Sequence, residues 1–232
     1  SNNEEDKVYK TNIIVPFRDI PKEQKKTDTQ DRSKHLEKFK AHMITFIPKL
    51  VSYLKEKGIK SEFDITIIEQ SQDGRMFNRG ALLNTAYHLT MNEDGNPKYD
   101  SYIFHDVDLL PTYGTDGTPD MIPAYAGPYQ RGDIAHIASE WDRYKNPGKY
   151  LGGVTLFGSY VFRLINGFPN NYWGWGGEDD ELRRRRERQT NLIDCPAPPV
   201  DPIKLVGKQN GLVDLEKISI IKDKKDILKS QG

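Results

Sequence analysis

Two acidic clusters in this chain combine residue types and spacing that could do chemistry. The first is Asp106-Val107-Asp108, directly after the apolar run Ser101–His105. Side chains alternate along an extended chain, so both carboxylates fall on one side of it. Paired carboxylates are hard oxygen donors, suited to Mg2+ or Mn2+ bridging a diphosphate. A cation held there would act as a Lewis acid for a departing nucleoside diphosphate. A surface turn can carry the same three residues. Their position after a buried strand brings the metal reading level with that one.

The second cluster is Asn170–Glu181 (NNYWGWGGEDDE). Glycine packs poorly and carboxylates are costly to bury, so this is an odd core segment. It makes sense as a binding loop. Indole faces suit the apolar side of a pyranose ring, and glycines permit a loop that closes over ligand and excludes water. A carboxylate beside that platform could take a proton from an attacking hydroxyl. Glu178–Glu181 would equally suit the first turn of a helix, where acidic groups favour the macrodipole. The two readings are compatible. A third group, Phe77-Asn78-Arg79-Gly80, places Arg79 just inside a helix start, against a carboxylate or within reach of a phosphate.

The elements that must position these groups alternate. Asn12–Phe17 (NIIVPF) is expected as a buried strand. Leu36, Phe39, Met43, Phe46, Ile47, Leu50 and Leu54 recur at helical spacing up to Gly58, with Pro48 expected to kink or split the helix. Asp64–Glu69 is the next strand, Asn78–Met91 an amphipathic helix and Ser101–His105 a third strand. Strand and helix in alternation predict a parallel sheet with crossover helices. Such sheets bind ligands beyond the carboxyl ends of their strands, where Pro16-Phe17-Arg18, Glu69-Gln70 and Asp106-Val107-Asp108 all fall. Further on, Tyr113–Gly132 reads as loop, Val154–Phe157 as strand, Tyr160–Ile165 as a short helix, Asn166–Gly177 as loop and Asp179–Arg188 as a charged helix. The tail shows no clear pattern.

Composition narrows the classes. The 34 basic and 34 acidic residues balance, so nothing announces a nucleic-acid partner. No apolar run approaches the roughly 20 residues that cross a bilayer. The single cysteine, Cys195, excludes an internal disulfide and is expected to be a bystander rather than a nucleophile.

Five segments occur in a recognisable order: Val15-Pro16-Phe17-Arg18; Phe77-Asn78-Arg79; Phe104–Pro111 (FHDVDLLP); Tyr150-Leu151-Gly152-Gly153; and Asn166–Asp180 (NGFPNNYWGWGGEDD). Together they resemble the β-1,4-galactosyltransferase family over about Asn12 to Leu182. His105 and Leu109-Leu110-Pro111 are more similar to its xylose-directed branch than to other members. The resemblance implies an α/β GT-A fold, Rossmann-like and nucleotide-sugar-binding, in a single domain with a mixed, mostly parallel sheet. It also implies transfer of galactose from UDP-galactose to a sugar hydroxyl with inversion, using Mn2+ or Mg2+.

By the same resemblance Pro16, Phe17 and Arg18 hold the uridine, and Phe77 and Arg79 approach the nucleotide. Asp106 contacts the donor and Asp108 ligates the metal. Tyr150, with Gly153 in the same donor-binding motif, favours galactose over N-acetylgalactosamine. Trp175 covers the donor and Glu178 binds its sugar. Asp179 is the base, while Tyr172, Trp173 and Asp180 serve the acceptor. Asp19–Asp31 looks like an insertion that displaces a family arginine, for which Arg32 is the candidate. The family also places a histidine metal ligand beyond the acidic motif, yet no histidine follows His136. Weak metal binding is therefore expected, with Asp194, Asp201 or Asp214 as open substitutes.

Residues 1–11 are expected as a polar lead-in, 12–190 as the catalytic domain and 191–232 as a divergent tail. The family is Golgi-lumenal. The single cysteine and lack of a signal segment fit a cytosolic enzyme or an excised soluble domain. Alternatives are a UDP-GalNAc or UDP-glucose transferase, or a weakened nucleotide-sugar or glycan-binding module. Phosphoryl transfer through Asp106 and Asp108 would leave the tryptophan loop unexplained.

Overall fold

The computed structural model describes residues 7–19, 31–143, 150–190 and 202–216. Its first strand, β1 (Tyr9–Phe17), begins before the expected Asn12. Tyr9 and Thr11 are buried, and their hydroxyls meet that of Ser101 at 2.9 Å each, which carries the strand back into the sequence's polar lead-in. Helix α1 (Arg32–Glu56) is capped by Asp31, whose side chain accepts from the Lys34 N–H. Phe39, Met43, Phe46, Leu50 and Leu54 form its buried stripe, as the spacing predicts.

The expected break at Pro48 does not occur, and α1 runs through it as one helix. Proline withholds only the hydrogen bond to the carbonyl of Ile44. Both residues face solvent, Ile44 with 73% of its surface exposed, so water can satisfy that carbonyl.

The chain continues through β2 (Ser61–Glu69), α2 (Arg79–Leu89) and β3 (Ser101–His105). Next come β4 (Leu109–Pro111), α3 (Ile122–Ala126), β5 (Ile134–His136), β6 (Val154–Gly158) and α4 (Ser159–Leu164). It then passes through α5 (Glu178–Thr190), β7 (Lys204–Leu205) and β8 (Leu212–Asp214). Helix α3 corrects the expectation of unbroken loop over Tyr113–Gly132. Asp194, Cys195 and Asp201 lie outside the described residues.

The main sheet has the order β2-β1-β3-β6-β5-β7. β1 is parallel to β2 and β3, β6 is antiparallel to β3 and β5, and β7 is parallel to β5. Only β6 runs against the rest, so the sheet is mixed and mostly parallel. β4 and β8 form a separate antiparallel ribbon.

Alternation along β1 divides the core between the two faces of the sheet. Ile13, Val15 and Phe17 pack with Phe39, Phe46 and Leu50 of α1. Ile14 packs with Leu83 and Ala86 of α2 and with Phe162. This strand order also fixes one functional rim. The carboxyl ends of β1, β3 and β5 and the start of the reversed β6 all emerge there, because β6 alone points the other way.

Candidate active site

A cleft of about 380 Å³ opens at that rim. Of the residues singled out from sequence, Pro16, Phe17, Arg18, Arg32, Phe77, Arg79, Asp106 and Asp108 line it. So do Tyr150, Gly153, Trp175, Glu178, Asp179 and Asp180. The strand-end aspartates and the tryptophan-glycine-acid segment therefore share one cavity.

Arg79 connects the two walls. Asn78 caps α2 by accepting from the Ala81 N–H, which sets Arg79 at the first helical position. From there Arg79 Nε donates to Asp106 at 2.8 Å and Nη1 to Asp179 at 3.0 Å, with Glu178 at 3.7 Å. Such charge-assisted bonds are the stronger class of hydrogen bond. Three carboxylates hold the guanidinium charged despite burial, which taken alone would favour the neutral form.

Asp179 and Glu178 stand in the first turn of α5, so the helix-start and binding-loop readings hold together. Loss of water raises the Asp179 carboxyl, Arg79 opposes it, and Glu178, Asp106 and Asp180 add to the rise. Burial raises Glu178 as well, again against Arg79.

The glycine-rich loop is tied to the Phe77 segment by the Gly174 N–H, which donates to the Phe77 carbonyl at 2.8 Å. Gly174, Gly176 and Gly177 adopt φ of 89°, 89° and 95°, a region that favours glycine. The loop thereby sends its two tryptophans different ways. Trp175 lines the cleft. Trp173 is exposed, with the Arg75 guanidinium 5.6 Å from its ring centre. Tyr172 packs against Gly177 instead of lining the cleft. Of the three residues expected to serve the acceptor, Asp180 lines the cleft, and Tyr172 and Trp173 stand on the adjoining loop outside its described lining.

Sequence reasoning missed three lining residues: Trp141, Arg143 and Glu216. Arg143 lies 4.3 Å from the Trp141 ring centre and pairs with Asp108 at 3.4 Å and with Asp214. Asp108 and Glu216 are both buried, and the charge of Asp108 helps to raise the Glu216 carboxyl. Burial raises Glu216, and Arg32 opposes the rise. Glu216 Oε2 lies 2.5 Å from Arg32 yet receives no directed hydrogen bond among the described residues. Arg32 also approaches Asp108 at 3.8 Å. The β4–β8 ribbon makes this assembly, as the Leu215 N–H donates to the Asp108 carbonyl at 2.8 Å. No motif announced it, since Glu216 stands in a tail without pattern.

Among the described residues no cluster of three or more His, Cys, Asp or Glu is arranged to hold a metal. Asp108 and Glu216 nevertheless supply two hard oxygen donors. That number fits a cation which takes one or two carboxylates and completes its shell with substrate phosphates and water. Of the expected substitutes, Asp214 alone falls among the described residues, and Arg143 joins it to Asp108.

The histidines sort by burial. His35 is buried on α1, and His88 is exposed on α2. His42 is half-buried, stacked on Tyr113 with ring centres 4.8 Å apart. His136 is fully buried under the cleft wall. No helix among the described residues is long and apolar enough to cross a membrane.

Two family models match the chain. One, described as the N-terminal region of glycosyl transferase group 7, covers residues 3–116. The other, described as the N-terminal domain of galactosyltransferase, covers residues 132–200. Human β-1,4-galactosyltransferase 4 is 35% identical over 170 residues, 71% of this chain and 44% of that protein. A β-N-acetyl-D-glucosaminide β-1,4-N-acetylglucosaminyl-transferase of Lymnaea stagnalis is 34% identical over 179 residues, 76% of this chain and 30% of that protein. The chain thus spans less than half the length of these two curated relatives. Among solved structures, a mutant of Drosophila β-1,4-galactosyltransferase 7 in complex with manganese, UDP-Gal and xylobiose is similar. It has a TM-score of 0.57 and 25% identity, over 95% of this chain and 79% of that one. With the strand order and the rim cleft, these likenesses show that the chain has a GT-A fold and belongs to the β-1,4-galactosyltransferase family, group 7 of the glycosyl transferases.

Proposed function

We propose that this protein transfers galactose from UDP-galactose to the hydroxyl of a glycan or glycoside acceptor, inverting the anomeric centre, with a β-1,4 linkage. The observation that carries the reading is the Arg79 bridge between Asp106 and Asp179, which sets a strand-end carboxylate and a helix-start carboxylate in one cleft.

In this mechanism Asp179 accepts the proton of the acceptor hydroxyl. The acceptor oxygen forms a bond to the anomeric carbon while the bond from that carbon to the UDP oxygen breaks on the opposite face. The raised Asp179 carboxyl is more basic than an ordinary aspartate, which suits proton removal near neutrality. Phe17, Arg18 and Phe77 hold the nucleoside end. Tyr150, whose hydroxyl donates to the Ala138 carbonyl at 3.0 Å, is fixed against the donor sugar beside Gly153. Glu178 binds the sugar hydroxyls, and Trp175 with the glycine loop excludes water. Asp180 and, from outside the cavity wall, Tyr172 and Trp173 guide the acceptor.

Asp108 and Glu216 would hold Mn2+ or Mg2+, with Arg32 and Arg143 contacting phosphate oxygens beside it. Bound there, the cation supplies Lewis-acid stabilisation of the diphosphate leaving group. Two protein carboxylates already paired with arginines make a weak site without nucleotide, which supports the expectation drawn from the missing histidine.

The decisive assay is UDP release and disaccharide formation from UDP-galactose over a panel of sugar acceptors. Asp179→Asn is expected to abolish transfer while UDP binding by calorimetry stays within about threefold, on the order of 0.6 kcal/mol. Retained turnover in that variant would exclude Asp179 as the base. UDP binding by wild type without turnover on any acceptor would favour a binding module. The name of the Lymnaea relative motivates a second reading, an N-acetylhexosamine donor, which comparing donors for wild type and Tyr150→Leu would separate.

A further inference from the structure

Behind the cleft wall, one buried histidine connects to the proposed base without touching the cavity. His136 ends β5 and pairs across to Thr155 of β6. Its Nε2 lies 3.0 Å from the Gly152 carbonyl, and its ring meets Tyr150 edge-on with centres 4.8 Å apart. Burial lowers the imidazole to about 4, against the opposing effect of that carbonyl, so the ring is neutral near pH 7. A neutral imidazole carries one N–H. The carbonyl can only accept, so the proton resides on Nε2. Nδ1 is left buried without a hydrogen-bond partner among the described residues.

Gly152 in turn lies directly under the base. A methyl group at its Cα would overlap the Asp179 carboxylate. The next carbonyl, that of Gly153, accepts from the Asp106 N–H at 2.9 Å, and the Asp106 carboxylate accepts from Arg79, which also holds Asp179. The contacts close a ring from Asp179 through Gly152, Gly153, Asp106 and Arg79 back to Asp179. Among the described residues, His136 is the one side chain hydrogen-bonded to the Gly152 corner of that ring.

We propose that His136 is a positioning residue for Asp179, holding the Gly152 peptide at the height that sets the carboxylate against the acceptor hydroxyl. The proposal rests on Asp179 being the base. Removing the imidazole releases the Gly152 carbonyl and lets the corner drop, displacing Asp179 without touching the nucleotide. A displacement near 1 Å at a reacting group lowers turnover by about a hundredfold.

The test compares His136→Leu, which cannot donate, with His136→Gln, whose amide N–H can reach the same carbonyl. In His136→Leu kcat is expected to fall about a hundredfold with UDP affinity unchanged, and His136→Gln is expected to recover most of the loss. The Asp179 titration, followed by carbon NMR of aspartate-labelled protein, is expected to move in the leucine variant and stay in place in the glutamine variant. Arg79 of α2, Asp106 after β3, and Glu178 and Asp180 of α5 face Asp179 in all of these proteins, so the difference reports on the corner. A leucine variant with wild-type kcat and titration would overturn the proposal. So would UDP affinity falling in step with kcat, or a folded glutamine variant as damaged as the leucine one. Should the leucine variant not fold, His136→Asn, whose shorter amide stops short of Gly152, takes its place. A wild type without turnover would refute the transfer reading, and the NMR comparison would still decide the positioning role.

Discussion

Asp179 carries the largest electrostatic consequence of any single residue in the cleft. Its carboxyl is raised to about 8, chiefly by loss of water, with Arg79 opposing. The folded protein therefore holds a proton that the unfolded chain releases near 4. Under linkage this contribution to stability is complete below about 4 and is lost as pH rises toward about 8. Asp179→Asn, with a neutral amide of the same shape, escapes the loss. It is expected to melt above wild type at pH 8 and alike at pH 4, as scanning calorimetry at the two values would show. At this scale much of the site was legible. Asp106, Asp108 and Asp179 stand where a strand ends or a helix begins, and sequence periodicity locates those points. Arg143 and Glu216 were not legible, because a stacked arginine and a lone glutamate gain meaning only from tertiary neighbours. Nor does sequence show which way a glycine turn sends each aromatic of the loop, of which Trp175 lines the cleft.

Among the elements, the apolar runs of β1 and β3 and the stripes of α1 and α2 were readable because burial imposes a period on them. Their ends were less so. Tyr9 and Thr11 extend β1 by finding a buried partner in Ser101, which local pattern does not reveal. The short strands β5, β7 and β8 escaped notice because two or three residues contain no period. At Pro48, where the local rule expected a kink or a split, the helix is not split. Since it sits on the wet face of a continuous α1, Pro48→Ala restores the bond to Ile44 at a site with room for it. Stability is expected to rise by about 1–3 kcal/mol, the range set by proline's cost within a helix. Urea unfolding with an unchanged slope would verify it.

For the whole molecule, the class of fold was legible in the alternation of strand and helix, which left one reversed strand to be found by structure. The tail was not legible, yet it supplies β8, which pairs with β4, and Glu216, which lines the cleft. If Glu216 is a cation ligand, Glu216→Ala is expected to lower Mn2+ affinity in the presence of UDP by about 10- to 100-fold. UDP binding in chelator should be spared. Titration by electron paramagnetic resonance reads this directly, and an unchanged titration would remove the tail from the metal site. The glycine loop has a different consequence, for diversification. Its three left-handed positions tolerate no side chain without strain, while the aromatic residues beside them have no such backbone constraint. A library that keeps Gly174, Gly176 and Gly177 and varies Tyr172, Trp173 and Trp175 would alter what the entrance admits while leaving the loop's bends in place. New acceptor preferences should be reachable there before anywhere else on the surface.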